Sequence, residues 1–259
     1  MEETKIGYWK RATGELKSLK RLVFAALMCA LSIVVGALYV TVGDNLRVYF
    51  TFFITAVGCA VYGPVMGMLV AAVTDTLNFI LFPSGPYFPG YLLSEMVAAV
   101  IYGVLLYRRK ITVLRLFTAK FLVNYLVNVG LGSLWSQMLF GKGYLYYLVK
   151  SLIKNSLLLP LEVMVLAALF AMVVPAFSRM GLLPGHDKRD LEKLTISSSA
   201  FTVFGLSCLI GGGCSFYYST KVESGALTFE VLAVALAVIA LVLFVLGPVL
   251  RRRKNRQNA

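Results

Sequence analysis

Apolar runs, cut by short basic or turn-rich breaks, dominate this 259-residue chain. Crossing roughly 30 Å of hydrocarbon as a helix takes about 20 apolar residues. Eight runs approach that length, at roughly 22–42, 48–62, 64–82, 90–107, 115–138, 153–175, 199–219 and 226–250. The second is short and shares the tight Tyr62-Gly63-Pro64 turn with the third. The pattern predicts an all-α integral membrane protein, mostly one helical body, without a soluble catalytic domain.

Composition agrees: 59% of residues are hydrophobic and 14% charged, which is not a soluble composition. The net charge of +13 invites a nucleic-acid reading, but its distribution argues against one. With the N-terminus in the cytoplasm and eight alternating spans, 19 of the 25 Lys and Arg fall in cytoplasmic segments. They gather before residue 22, between Arg108 and Arg115, between Arg179 and Lys193, and from Arg251 to Arg256. That is a positive-inside signature for a multi-pass protein with both termini cytoplasmic; the flipped topology would put all of them outside. The charged start is not read as a signal peptide, because the following apolar run is too long and no small-x-small cleavage site follows it. Cys29, Cys59, Cys208 and Cys214 sit in apolar helices without Cys-x-x-Cys spacing and read as small buried hydrophobes. The one histidine, His186, falls in a charged loop and reads as solvated.

The polar residues within the spans are more informative, since an ionisable group in a bilayer costs about 2.5–3.5 kcal/mol or more. Between Thr74 and Glu95 an apolar helix carries Asp75 and Asn78, breaks into Phe82-Pro83-Ser84-Gly85-Pro86-Tyr87-Phe88-Pro89-Gly90, and re-enters the membrane. Arg47 precedes the second span. Asn124, Asn128, Trp135 and Gln137 lie along the fifth, while Lys150, Lys154, Asn155 and Glu162 enter the sixth. In that topology these groups concentrate in the outer leaflet. Asn124, Asn128 and Trp135, four and seven residues apart, would share one helical stripe, and Lys150 and Lys154 one face. They read as an outward-facing pocket for a small polar ligand. Each also has a plainer reading: the amides as links between helices, Glu162 as partner of a lysine, the lysines, Trp135 and Tyr144, Tyr146 and Tyr147 as interfacial anchors. Lys120, in the inner half, is expected to snorkel to the cytoplasmic surface. No Walker loop, His-Glu-x-x-His or Gly-x-Ser-x-Gly element is present, so an enzyme is not expected, and neither a metal nor a cofactor is called for.

Several local patterns resemble a known family. They are Ala26-Leu27-Met28-Cys29-Ala30 in the first span, Leu46-Arg47-Val48-Tyr49-Phe50, and Gly63-Pro64-Val65-Met66-Gly67. Asp75 with its Phe-Pro…Phe-Pro-Gly loop, Leu134-Trp135, Phe140-Gly141 and Lys150 to Pro160 complete the set. From about Arg21 to Met180 the chain resembles the substrate-binding S components of energy-coupling-factor vitamin transporters, particularly the folate-specific type. The resemblance implies a six-helix binding domain over 21–180, after a basic segment at 1–20. Beyond it come a linker at 181–198, a two-helix transmembrane extension at 199–250 without family precedent, and a basic tail at 251–259.

The family implies a bacterial plasma-membrane subunit that captures its vitamin outside and delivers it inward with a membrane coupling protein and two cytoplasmic ATPases. The Ala26/Ala30 face would dock on the coupling protein. For folate, Asp75 or Asn78 with Asn128 would meet the pterin edge, and Trp135, Tyr87 and Phe88 would stack on rings. Arg47, Lys150 and Lys154, beside Asn155, would meet the carboxylates. Rival readings are an S component for riboflavin, thiamine or a queuosine precursor, a membrane enzyme using Asp75, Glu95 and Glu162, and a structural subunit without a ligand.

Overall fold

The computed structural model describes residues 2–37, 39–43, 46–83, 87–141, 143–183, 198–220, 230–231, 233–242 and 244, with 2–6, 39–43, 46–48, 198–204 and 218–219 described by backbone alone. The Ser84–Pro86 loop tip, the Arg47 side chain, Lys142, the linker with His186 and the basic tail lie outside the described residues. Among the described residues five helices are long and apolar enough to cross a membrane: Leu19–Gly36, Thr51–Leu81, Pro89–Leu106, Val113–Phe140 and Tyr144–Arg179. The protein is an all-α membrane protein, and its residues group into two units, each described on its own.

The first unit holds residues 1–110 and 169–193. Helix α1 (Glu2–Gly14) leads through a 3-10 turn to α2 (Leu19–Gly36). Strands β1 (Tyr39–Gly43) and β2 (Leu46–Tyr49) follow as an antiparallel hairpin, with Tyr39 opposite Tyr49 and an irregularity between Thr41 and Gly43. This departs from the sequence expectation, which ran the first span to 42 and opened the second at 48. Tyr-Val-Thr-Val is aromatic and β-branched throughout and Leu-Arg-Val-Tyr ends in such a pair, and these residues favour a pleated strand where a short apolar run alone is ambiguous.

Helix α3 (Thr51–Leu81) is broken at Gly63, whose φ of 83° and ψ of −179° are not helical. A Cβ built on Gly67 would lie 2.6 Å from the Cys59 sulfur. Eight residues of unbroken helix would separate these two by about 12 Å. The chain therefore folds back at Gly63-Pro64, and 51–62 and 64–81 are two arms, as the expected tight turn required. The first arm, at about 18 Å, is too short to cross hydrocarbon by itself. Helix α4 (Pro89–Leu106) starts with Pro89 in its first turn, where the missing N–H costs nothing. It packs so closely on the fold-back that a Cβ on Gly103 would overlap the Cα of Pro64.

Polar groups tie α1 to this end of the unit. Glu15 accepts a 2.6 Å hydrogen bond from the Tyr107 hydroxyl and pairs with Arg21 at 3.3 Å and Arg108 at 3.7 Å. Arg21 also donates to the carbonyls of Val61 and Leu182, Tyr8 to that of Gly103, and Lys20 to that of Met180.

The second unit holds residues 111–168 and 194–259. Thr112 caps α5 (Val113–Leu122) by accepting from the Arg115 N–H. The helix then widens into a π-helix (Val123–Leu131) and returns to α form in α6 (Gly132–Phe140), ended by Gly141 at φ 72°. Helix α7 (Tyr144–Arg179) contributes its residues up to 168 here. The extension appears as α8 (Ser198–Ser219) and α9 (Ala233–Val242). Leu159 and Val163 of α7, Cys208 of α8, and Leu236 and Ala240 of α9 form one buried cluster, flanked by Phe117 and Tyr125. Small residues allow this approach: a Cβ on Gly211 would stand 2.9 Å from the Ser156 carbonyl, and one on Gly212 3.2 Å from that of Ala233.

Candidate functional site

In the second unit the polar residues of the fifth and sixth spans meet. Lys120 is 2% exposed and its ammonium lies 3.2 Å from Glu162. It does not snorkel to a surface as expected, because a carboxylate one helix away offers it a partner in a dry interior. The other Glu162 oxygen accepts from the Asn124 amide at 2.7 Å. Asn128 donates to the Asn124 side-chain oxygen and to that of Asn155, both at 3.3 Å. Asn155 donates to the Ser151 carbonyl at 2.8 Å and to the Ser151 hydroxyl at 3.2 Å, and that hydroxyl donates to the Asn128 carbonyl at 3.1 Å. Asn124 and Asn155 are buried, while Asn128 is exposed.

The π-helix shapes this cluster. Its wider turn keeps Asn124 and Asn128 adjacent but turns the residues beyond them off the row that α-helical spacing assigns, so the single Asn124–Asn128–Trp135 stripe expected from the sequence is not the arrangement. Trp135 is half-buried in α6. On α7, Lys150 is exposed and Lys154 half-buried within electrostatic range of Glu162, Lys120 and Lys150. Behind Asn155, Ser156 hydrogen-bonds the Tyr125 hydroxyl at 2.6 Å and lies against Gly211 of the extension.

In the first unit Asp75 is half-buried on the second arm of α3 and forms no hydrogen bond or ion pair with another described residue. Its neighbour Thr74 bonds the Cys29 sulfur at 3.2 Å. The Asn78 amide lies where α2 ends and α3 begins: a Cβ on Gly36 would be 3.4 Å from both its oxygen and the Thr51 methyl. Tyr87 leans on Phe79 with ring centroids 5.0 Å apart, and Phe88 on Tyr91 at 6.0 Å. Arg47 sits in β2 opposite Thr41. On α2, Phe24, Met28 and Ser32 are buried, whereas Ala26 and Ala30 lie exposed on the other face. Glu95 is exposed at the start of α4.

Sequence reasoning counted Asn124 and Glu162 among the pocket groups, with a lysine partner as the plainer reading of Glu162, but did not place Lys120 or Ser151 in the site. The signal for Lys120 was the four-residue row 120–124–128, but nothing local says which helix a buried charge faces.

The family model for the ECF transporter substrate-specific component matches residues 20–186. The chain belongs to this family. It is accordingly a transport component rather than an enzyme, and its family partnership is with an ECF module. It is 33% identical over 158 residues to the folate transporter FolT of Clostridium novyi (strain NT), covering 61% of this chain and 92% of the relative. It is 30% identical over 151 residues to the folate transporter FolT of Leuconostoc mesenteroides, covering 56% and 80%. A crystal structure of FolT bound with folic acid aligns with a TM-score of 0.52 at 28% identity, over 57% of this chain and 89% of that one. The matched region of this S component stops before α8, so the extension lies beyond the family domain.

Proposed function

We propose that this S component binds folate with high affinity on the outer face of the bacterial plasma membrane. It delivers folate inward in association with a membrane coupling protein and two cytoplasmic ATPases. The observation that carries this reading is the similarity to proteins named folate transporters, across 92% and 80% of their lengths. Chemistry supports it: folate joins a pterin edge of hydrogen-bond donors and acceptors to an anionic tail. A buried amide cluster with one exposed member suits the edge, and cations on α7 suit the tail.

The contacts are proposed residue by residue: Asp75, Asn78, Asn128 and Asn155 for polar edges, Tyr87, Phe88 and Trp135 for ring faces, Arg47, Lys150 and Lys154 for carboxylates. Asp75 supports its own assignment, since a half-buried membrane carboxylate without a partner among the described residues is costly unless a ligand uses it. The exposed Ala26/Ala30 face of α2 is the proposed dock for the coupling protein, where small residues let helix backbones approach closely.

The test is a folate titration of ligand-free protein in detergent. The two tryptophans are Trp9 and Trp135, so Trp9→Phe leaves Trp135 as the reporter. Saturable quenching by folate at nanomolar to low micromolar levels is expected, with none from riboflavin or thiamine; silence toward folate would sink the assignment. Asp75→Ala and Asn128→Ala are each expected to weaken binding by about tenfold or more, the worth of a buried hydrogen bond with its desolvation.

A further inference from the structure

Every amide proton of Asn124, Asn128 and Asn155 is spent inside the cluster. Asn124 gives one to Glu162 and the other, at 3.5 Å, to the Asn155 carbonyl. Asn128 gives its two to the side-chain oxygens of Asn124 and Asn155, and Asn155 gives its two to Ser151. Both ends of this chain are held in one sense. The Glu162 carboxylate, ion-paired with Lys120, can only accept, so Asn124 must turn its NH2 toward it and its oxygen toward Asn128. The Ser151 backbone carbonyl can only accept as well, so Asn155 likewise turns its oxygen toward Asn128. Facing two oxygens, Asn128 must turn its NH2 inward. Its own side-chain oxygen is left on an exposed residue and accepts no hydrogen bond from a described residue.

We infer that the Lys120–Glu162 pair is the positioning element that fixes Asn128 as an obligate acceptor, selecting ligands that present an N–H on their edge. The inference rests on the folate reading, because the pterin edge supplies that N–H. Neither Lys120 nor Glu162 needs to touch the ligand: Glu162 acts through Asn124, and Lys120 holds Glu162 in place through the 3.2 Å ion pair. A glutamine in place of Glu162 could donate as well as accept. Asn124 could then flip, and the Asn128 oxygen would no longer be presented in a single sense.

The experiment compares folate, its 4-amino analogue and its 2-desamino analogue on wild type, on Glu162→Gln and on Lys120→Met/Glu162→Gln. The double variant removes the unpaired buried ammonium should the single one fail to fold, and ligand-free melting checks both. The two analogues alter the donor–acceptor pattern of the edge and leave the tail intact. Expected is a loss of folate affinity of about tenfold, one buried hydrogen bond, with the folate-to-analogue affinity ratio shifted about tenfold for at least one analogue. Glu162→Asp, which restores an accept-only group, is expected to keep the wild-type ratios. Unchanged affinities, or a loss uniform across all three ligands, would overturn the inference and leave the folate assignment standing. Failure of wild type to bind folate would instead remove the assignment itself.

Discussion

Lys120 and Glu15 lie in different units, yet each belongs to a charge cluster that depth along a helix did not reveal. A hydropathy pattern locates Lys120 between apolar neighbours but not the direction it faces, so its pairing with Glu162, 42 residues on, was open until the helices were placed. Glu15 serves three donors at once, Tyr107, Arg21 and Arg108. Glu15→Gln should lower stability by about 1–3 kcal/mol, the range for disturbing charged hydrogen bonds, and thermal unfolding in detergent would measure it. Tyr107 titrates outside the spans. Burial, then its hydrogen bond to Glu15, pushes its hydroxyl up from 10.0 to about 12. Below pH 10 the group is protonated folded or unfolded and its contribution is fully present. As pH rises toward 12 the unfolded chain loses the proton first, so stability falls. Tyr107→Phe should flatten that part of an alkaline melting series.

At the scale of elements, the Gly63-Pro64 turn was legible because Gly tolerates positive φ and Pro opens a helix without needing its N–H. What the turn packs against was not. Gly103, on another helix, leaves the space that Pro64 occupies, and Gly103→Ala should cost about 1–3 kcal/mol or more through overpacking. Gly213→Ala has open space around its new methyl and should be neutral or stabilising by up to about 1 kcal/mol. Melting temperature and the monodisperse fraction on size exclusion would separate them. The π-helix was equally hidden: Val123–Leu131 carries no residue that announces it. It arises where Asn124, Asn128 and the Asn128 carbonyl all find partners on α7.

For the whole molecule, the extension raises the sharpest question. Helices α8 and α9 share a buried cluster with α7, and Gly211 closes on Ser156, the residue after Asn155. Yet the family match ends at 186, before α8 begins at Ser198. A chain ending at residue 197 should therefore keep folate binding within about threefold while melting lower, since lipid can replace apolar packing but not the close Gly211 approach. Loss of binding on truncation would instead make the extension part of the site, read by the same fluorescence titration.

The sequence alone determined the membrane class, the sites of the helices, the sharp turn at Gly63-Pro64 and the polar residues worth watching, because hydropathy and backbone chemistry are local. The β-hairpin at 39–49 escaped it, since a short apolar run fits strand or helix. Only the tertiary structure decided that Lys120 faces Glu162, that three asparagines form one polarised chain, and that the extension packs behind Asn155. These depend on the rotation of each helix about its axis. That rotation is set by contacts between residues far apart in the chain, such as Asn124 and Glu162, 38 positions apart.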